Sequence, residues 1–140
     1  MKREGIMNTK KFIFASIAVF ISGEILDFII HGLILKGAYE SLTLWRADMN
    51  SLMWVMHVTS LIFAFLFVYI FTKGYESKGV MEGVRYGLLI GLIMTLTSSL
   101  GQYAMYPLPF RLIIQWFVFG MIEFIILGIV AAAIYKPAKK

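Results

Sequence analysis

Cysteine is absent from the chain, which excludes disulfides, thiolate metal ligands and thiol redox chemistry. Charge is scarce as well: Asp, Glu, Lys and Arg make up 15% of the 140 residues, and hydrophobic types make up 60%. A soluble domain carries about 25% charged residues, so water is not the solvent for most of this surface. There is no nucleophile elbow, phosphate-binding loop or dinucleotide fingerprint. No set of residues specifies a reaction, so catalysis is not the expected role.

What the chain does have is four long apolar runs. Residues 49–72 and 86–110 contain no charged residue, and 12–35 and 112–135 are interrupted only by Glu24, Asp27 and Glu123. Each meets the roughly 20 apolar residues that a helix needs to cross a bilayer core. The expected fold is all-α, an integral-membrane four-helix bundle with spans at about 12–35, 50–73, 80–104 and 110–135. It forms a single domain with an N-terminal flank at 1–11, an interfacial connection at 37–50 and a tail at 136–140. The first run exceeds the apolar core of a secretory signal, which is about 7 to 15 residues, and is expected to remain as the first helix.

Basic residues set the expected orientation. Lys2, Arg3, Lys10 and Lys11 precede the first span, Lys73, Lys78 and Arg85 flank the second connection, and Lys136, Lys139 and Lys140 end the chain. The other two connections carry Lys36, Arg46 and Arg111. The positive-inside bias therefore places both termini in the cytoplasm. The net charge of +5 is accounted for by this topology and by attraction to anionic lipid, and does not call for nucleic acid as a partner.

Local signals agree with four helices. Lys36-Gly37 and Lys73-Gly74 pair a cation with a glycine suited to a left-handed helix cap. Tyr39 and Trp45 in the first connection suit the headgroup level, and Tyr106-Pro107-Leu108-Pro109 reads as a tight turn. Glu82 and Arg85 read as a local ion pair. Gly83, Gly87, Gly91, Thr95 and Ser99 recur every fourth position in the third span. Such a small-residue stripe lets helix backbones approach closely in lipid, either within the bundle or in a homo-oligomer.

The polar residues inside the spans carry what chemistry there is. Glu24, Asp27 and His31 fall within an arc of about 60° on one helix face. Ionisable groups at mid-membrane usually point into the bundle and have partners. At about 1.5 Å per residue, Glu24 and Glu123 lie near the midplane. Asp27 and His57 lie about 5 to 7 Å further out, at the level of Thr95 and Ser98, and His31 and Gln115 follow at roughly 11 to 12 Å. With Gln102, these groups outline an expected pocket in the outer half of the bundle.

Three readings of that pocket stand side by side. In the first, the polar groups only fix helix register, and the chain is an accessory or assembly subunit with no chemistry of its own. In the second, the pocket binds a small ligand or ion. His31, His57, Asp27, Glu24 and Glu123 are suitable ligands for a divalent metal, and the same groups suit protons or a cationic substrate. In the third, His31 and His57 are axial ligands of a b-type haem.

The stretch GVRYGLLIGLIMTLTSSLGQYAMYPLPFRLIIQW, followed by FGMIEFIILGIVAAAIY, resembles small prokaryotic four-span membrane proteins of the DUF1761-like and related groups. The shared features are a tryptophan in the first connection, a glycine-spaced third helix, a short proline turn and an Ala/Gly-rich last helix. The resemblance implies the four-span fold and a prokaryotic cytoplasmic (inner) membrane. It implies no activity, and Glu24, Asp27 and His31 lie outside it.

Overall fold

A computed structural model describes residues 7–136. The Lys2, Arg3, Lys139 and Lys140 cations invoked for orientation lie outside the described residues. The elements are α1 (Thr9–Asp27), continued by a π-helical stretch (Phe28–Ile34), then α2 (Lys36–Glu40), a 3-10 turn (Met49–Leu52), α3 (Met53–Lys73), α4 (Val80–Met105) and α5 (Phe110–Ile134). Four helical segments are long and apolar enough to cross a membrane: Thr9–Ile34, Met49–Lys73, Val80–Met105 and Phe110–Ile134.

The first span begins three residues before the apolar run, because the Asn8 side chain accepts a hydrogen bond from the Lys11 N–H at 3.1 Å and caps the helix. Its far end differs from the expected glycine cap. The Leu35 N–H reaches the Ile30 carbonyl at 2.8 Å, five residues back, and Gly37 lies inside α2. The second span also ends without a left-handed glycine, since Gly74 has φ −101°.

The chain runs up and down, so the first residues of α1 and α4 and the last of α3 and α5 share one end of the bundle, the termini end, where the described residues begin and stop. The opposite end is called distal here. At the termini end, Ala15 and Val19 of α1, Ala64, Phe67 and Val68 of α3, and Ala131 of α5 form a closed core. Tyr86 of α4 joins it by donating its hydroxyl hydrogen to the Phe67 carbonyl at 2.5 Å, with the two rings 4.7 Å apart.

α4 lies along α5, and the glycine stripe is what allows it. A methyl group built on Gly83 would overlap the Gly128 carbonyl oxygen, and one on Gly87 would sit 2.8 Å from Ile125 Cα. Further along, one on Gly91 would meet Phe124 Cβ at 2.8 Å, while one on Gly120 would meet Thr95 Cγ2 at 2.6 Å. Thr95 and Ser99 are buried on the same face. The stripe is thus covered within the chain by α5, not left open for another copy.

The connection between α3 and α4 folds over Glu82. Its two carboxylate oxygens accept the backbone N–H groups of Glu76 (2.5 Å) and Lys78 (2.9 Å), while Arg85 is exposed. In place of the expected Glu82–Arg85 pair stands a carboxylate that satisfies backbone donors of the preceding connection. Gly79, with φ 70°, supplies the turn that brings those donors round.

Candidate functional site

At the distal end, α1 and α3 no longer meet through small side chains. Ala15 and Ala64 give way to Glu24, Phe28 and His31 on one helix and His57, Met56 and Met53 on the other, and a cavity of about 570 Å³ opens between them. Lys36, Tyr39 and Glu40 of α2, then Trp45 and Met49 of the first connection, complete its wall.

Two polar pairs stand in this cavity. His57 Nδ1 and Glu24 Oε2 are 2.6 Å apart, a hydrogen bond in which the ring N–H donates to the carboxylate and ties α3 to α1. His31 Nε2 lies 3.8 Å from Asp27 Oδ1, one turn away, which is beyond hydrogen-bond reach. The other ring nitrogen of His31, Nδ1, is 2.6 Å from the Tyr39 hydroxyl. That hydroxyl accepts the Trp116 indole N–H at 2.7 Å.

Indole can only donate. The tautomer of His31 that serves every group has its hydrogen on Nε2, so that the Tyr39 hydroxyl donates to Nδ1 and the Nε2–H faces Asp27. This assignment follows from the hydrogen-bond network. Burial pushes the Tyr39 hydroxyl above the ordinary phenol range, while the Trp116 hydrogen bond draws it down. Tyr39 was expected at the headgroup level, yet it is 8% exposed and lies on Ile30, Leu35 and Leu112. Trp45 packs edge-on to it at 5.2 Å.

The π-helical stretch contributes directly. Each residue in it advances the helix by less than an α-helical step, which shifts the positions of all later side chains round the axis. It carries His31 and delivers the chain to α2, where Tyr39 turns back onto that imidazole. Such stretches are frequent at functional sites. Nothing in the hydropathy of FIIHGLI announces one.

Of the expected pocket residues, Glu24, Asp27, His31 and His57 line this cavity. Glu123 does not, nor does it meet Glu24. It lines a second cavity of about 330 Å³ with Gly23, Asp27, Thr59, Ser60 and Phe63 among its neighbours. Consecutive residues on a helix point about 100° apart. Gly23 and Asp27 turn toward α5, whereas Glu24 turns to α3 and His57. Asp27 and Ser60 border both cavities.

Ser98, Gln102 and Gln115 line neither cavity. Ser98 and Gln102 are exposed, because α4 packs behind α5, away from the α1–α3 gap. Matching heights along the spans does not predict which way these side chains face. Arg111 is exposed, and Asp48 is taken by Arg46 in a bidentate pair at 2.8 and 3.1 Å.

The five-residue metal set does not assemble. Among the described residues, no three His, Asp or Glu side chains come together as a group able to hold a metal ion. His31 Nδ1 is held by the Tyr39 hydroxyl and His57 Nδ1 by Glu24, so an axial bond to haem iron would fall to the Nε2 atoms. Tyr39 and Trp116 bind each other across the 77 residues that separate them, a contact that the sequence does not signal. Only their aromatic character hinted at an interfacial place. No family model, curated protein or solved structure matches the chain.

Proposed function

We propose that this multi-pass membrane protein binds a small organic ligand in the distal cavity. The observation that carries the reading is the cavity itself: about 570 Å³, within the range of about 300 to 1,000 Å³ that small-molecule sites occupy. Its walls are mostly apolar, and a few convergent polar groups are held on rigid helices. The positive-inside bias turns the cavity outward from a prokaryotic cytoplasmic membrane, with both termini inside.

Because the chain has no cysteine, Met53→Cys gives a single reporter on the cavity wall. An impermeant maleimide added outside intact cells is expected to label it quickly. Three water-soluble benzyl compounds, cationic benzyltrimethylammonium, neutral benzyl alcohol and anionic phenylmethanesulfonate, serve as probes. At least one is expected to slow labelling of the full chain in a saturable way. Protection by none of the three overturns the ligand reading, and labelling only from the cytoplasmic side overturns the orientation.

A second reading is favoured by Glu123, which has no hydrogen bond or ion pair among the described residues and shares its cavity with Asp27. Asp27 and Ser60 join that cavity to the first, a polar route for protons to the interior. Proton uptake by reconstituted vesicles that is unchanged in Glu123→Gln would remove it.

A further inference from the structure

The residues lining the distal cavity also define the chemical class of its occupant, an inference that rests on the ligand-binding reading above. Charge comes first. Three carboxylates, Glu24, Asp27 and Glu40, face one ammonium, Lys36. The carboxylates are incompletely answered: Glu24 binds His57 through one oxygen, and Asp27 accepts no hydrogen bond among the described residues, its nearest basic atom being 3.8 Å away. An anion would meet this wall with repulsion, and a neutral apolar occupant would strip water from Asp27 without replacing it.

Size and wall chemistry narrow the cation. A bare metal ion lacks a set of three ligands and leaves most of about 570 Å³ unfilled. The remaining wall is aromatic and thioether: Phe28, Tyr39 and Trp45 with Met49, Met53 and Met56. Aromatic faces attract weakly hydrated organic cations, quaternary ammonium above all, and methionine adapts to irregular apolar shapes. Glu24 and Asp27 lie on α1, whereas Trp45 lies in the first connection, so a molecule that meets both presents charge and apolar surface at opposite ends.

We propose that the cavity takes an amphiphilic organic cation, its charged head between Glu24 and Asp27 and its apolar body against Trp45 and the three methionines. His57 holds Glu24 toward the head, and the Tyr39–His31 contact holds the imidazole beside Asp27.

Calorimetry and tryptophan emission on the detergent-purified full chain test this with the same three probes. Saturable binding of benzyltrimethylammonium is expected, with benzyl alcohol and phenylmethanesulfonate at least tenfold weaker. Asp27→Asn is expected to weaken the cation at least tenfold and to leave benzyl alcohol unchanged. Trp45→Leu, in a connection outside the spans, is expected to weaken it several-fold and keeps the test open if Asp27→Asn does not fold. Benzyl alcohol or phenylmethanesulfonate binding as tightly as the cation overturns the cation assignment and leaves the ligand reading standing. Cation affinity undiminished in both variants overturns the assigned anchors. Binding by none of the three overturns both.

Discussion

Near the chain termini, α4 and α5 touch backbone to backbone at Gly83 and Gly128, and Phe67, Val68 and Ala131 are fully enclosed. At the distal end α1 and α3 stand apart around a cavity lined by large side chains such as Met56 and Phe28. Both ends are built mainly from apolar residues, so hydrophobicity does not separate them. Side-chain type does. Glycine and alanine let the helices close at one end, with aromatic rings filling the space between them, because in lipid it is close packing more than apolar transfer that holds helices together. Ionisable and methionine side chains line the gap at the other end.

The contrast can be broken most severely at the closed end. Gly83→Leu forces a side chain into the Gly128 backbone, and a loss of about 3 kcal/mol is expected from overpacking, read as a large drop in thermal unfolding temperature in detergent. A small effect there would mean that α4 and α5 do not meet at Gly83.

Next in size is Tyr39→Phe. It removes the hydroxyl shared by His31 and Trp116 and leaves two polar groups short of a partner, at a cost of about 2 kcal/mol. Unfolding measurements beside Trp116→Phe check it. If the two single losses add in the double variant, the groups are not coupled and the network is misassigned.

The same hydroxyl gives a smaller, pH-dependent effect. Its folded-state pKa lies above that of the unfolded chain because burial favours the neutral phenol. Its stabilising contribution is therefore fully present below about pH 10, the ordinary phenol value, and is lost as pH rises through the folded value. Alkaline unfolding of the parent chain should be steeper than that of Tyr39→Phe, and equal slopes would count against the burial.

The smallest expected effect sharpens the comparison from the open side. Met56→Leu changes a 58% exposed residue and should shift stability by no more than about 0.5 kcal/mol. A larger loss would show that the cavity wall is tightly packed after all.

Much of this was legible in the residues. Four charge-poor runs announce four spanning helices, since length and apolarity are properties of each segment taken alone. Glu24, Asp27, His31 and His57 were legible too, because ionisable groups are costly inside a membrane and stand out against apolar neighbours. Direction was not. The height of Ser98, Gln102 or Gln115 follows from counting residues, but which helix they face depends on α4 choosing α5. That choice becomes visible only when the glycines of both helices are seen to interlock. Tyr39 escaped for a related reason: its place depends on how the chain leaves the first span, and that exit runs through the π-helical stretch.

That stretch makes the length of the first span a specification in its own right. Everything beyond Ile34 is out of phase with the α-helix below it. A chain one residue shorter between Phe28 and Ile34 would keep nearly the same hydropathy, yet it would carry Tyr39 to another azimuth, away from Trp116. The contact between those two rings is thus encoded by a count of residues as much as by their identity.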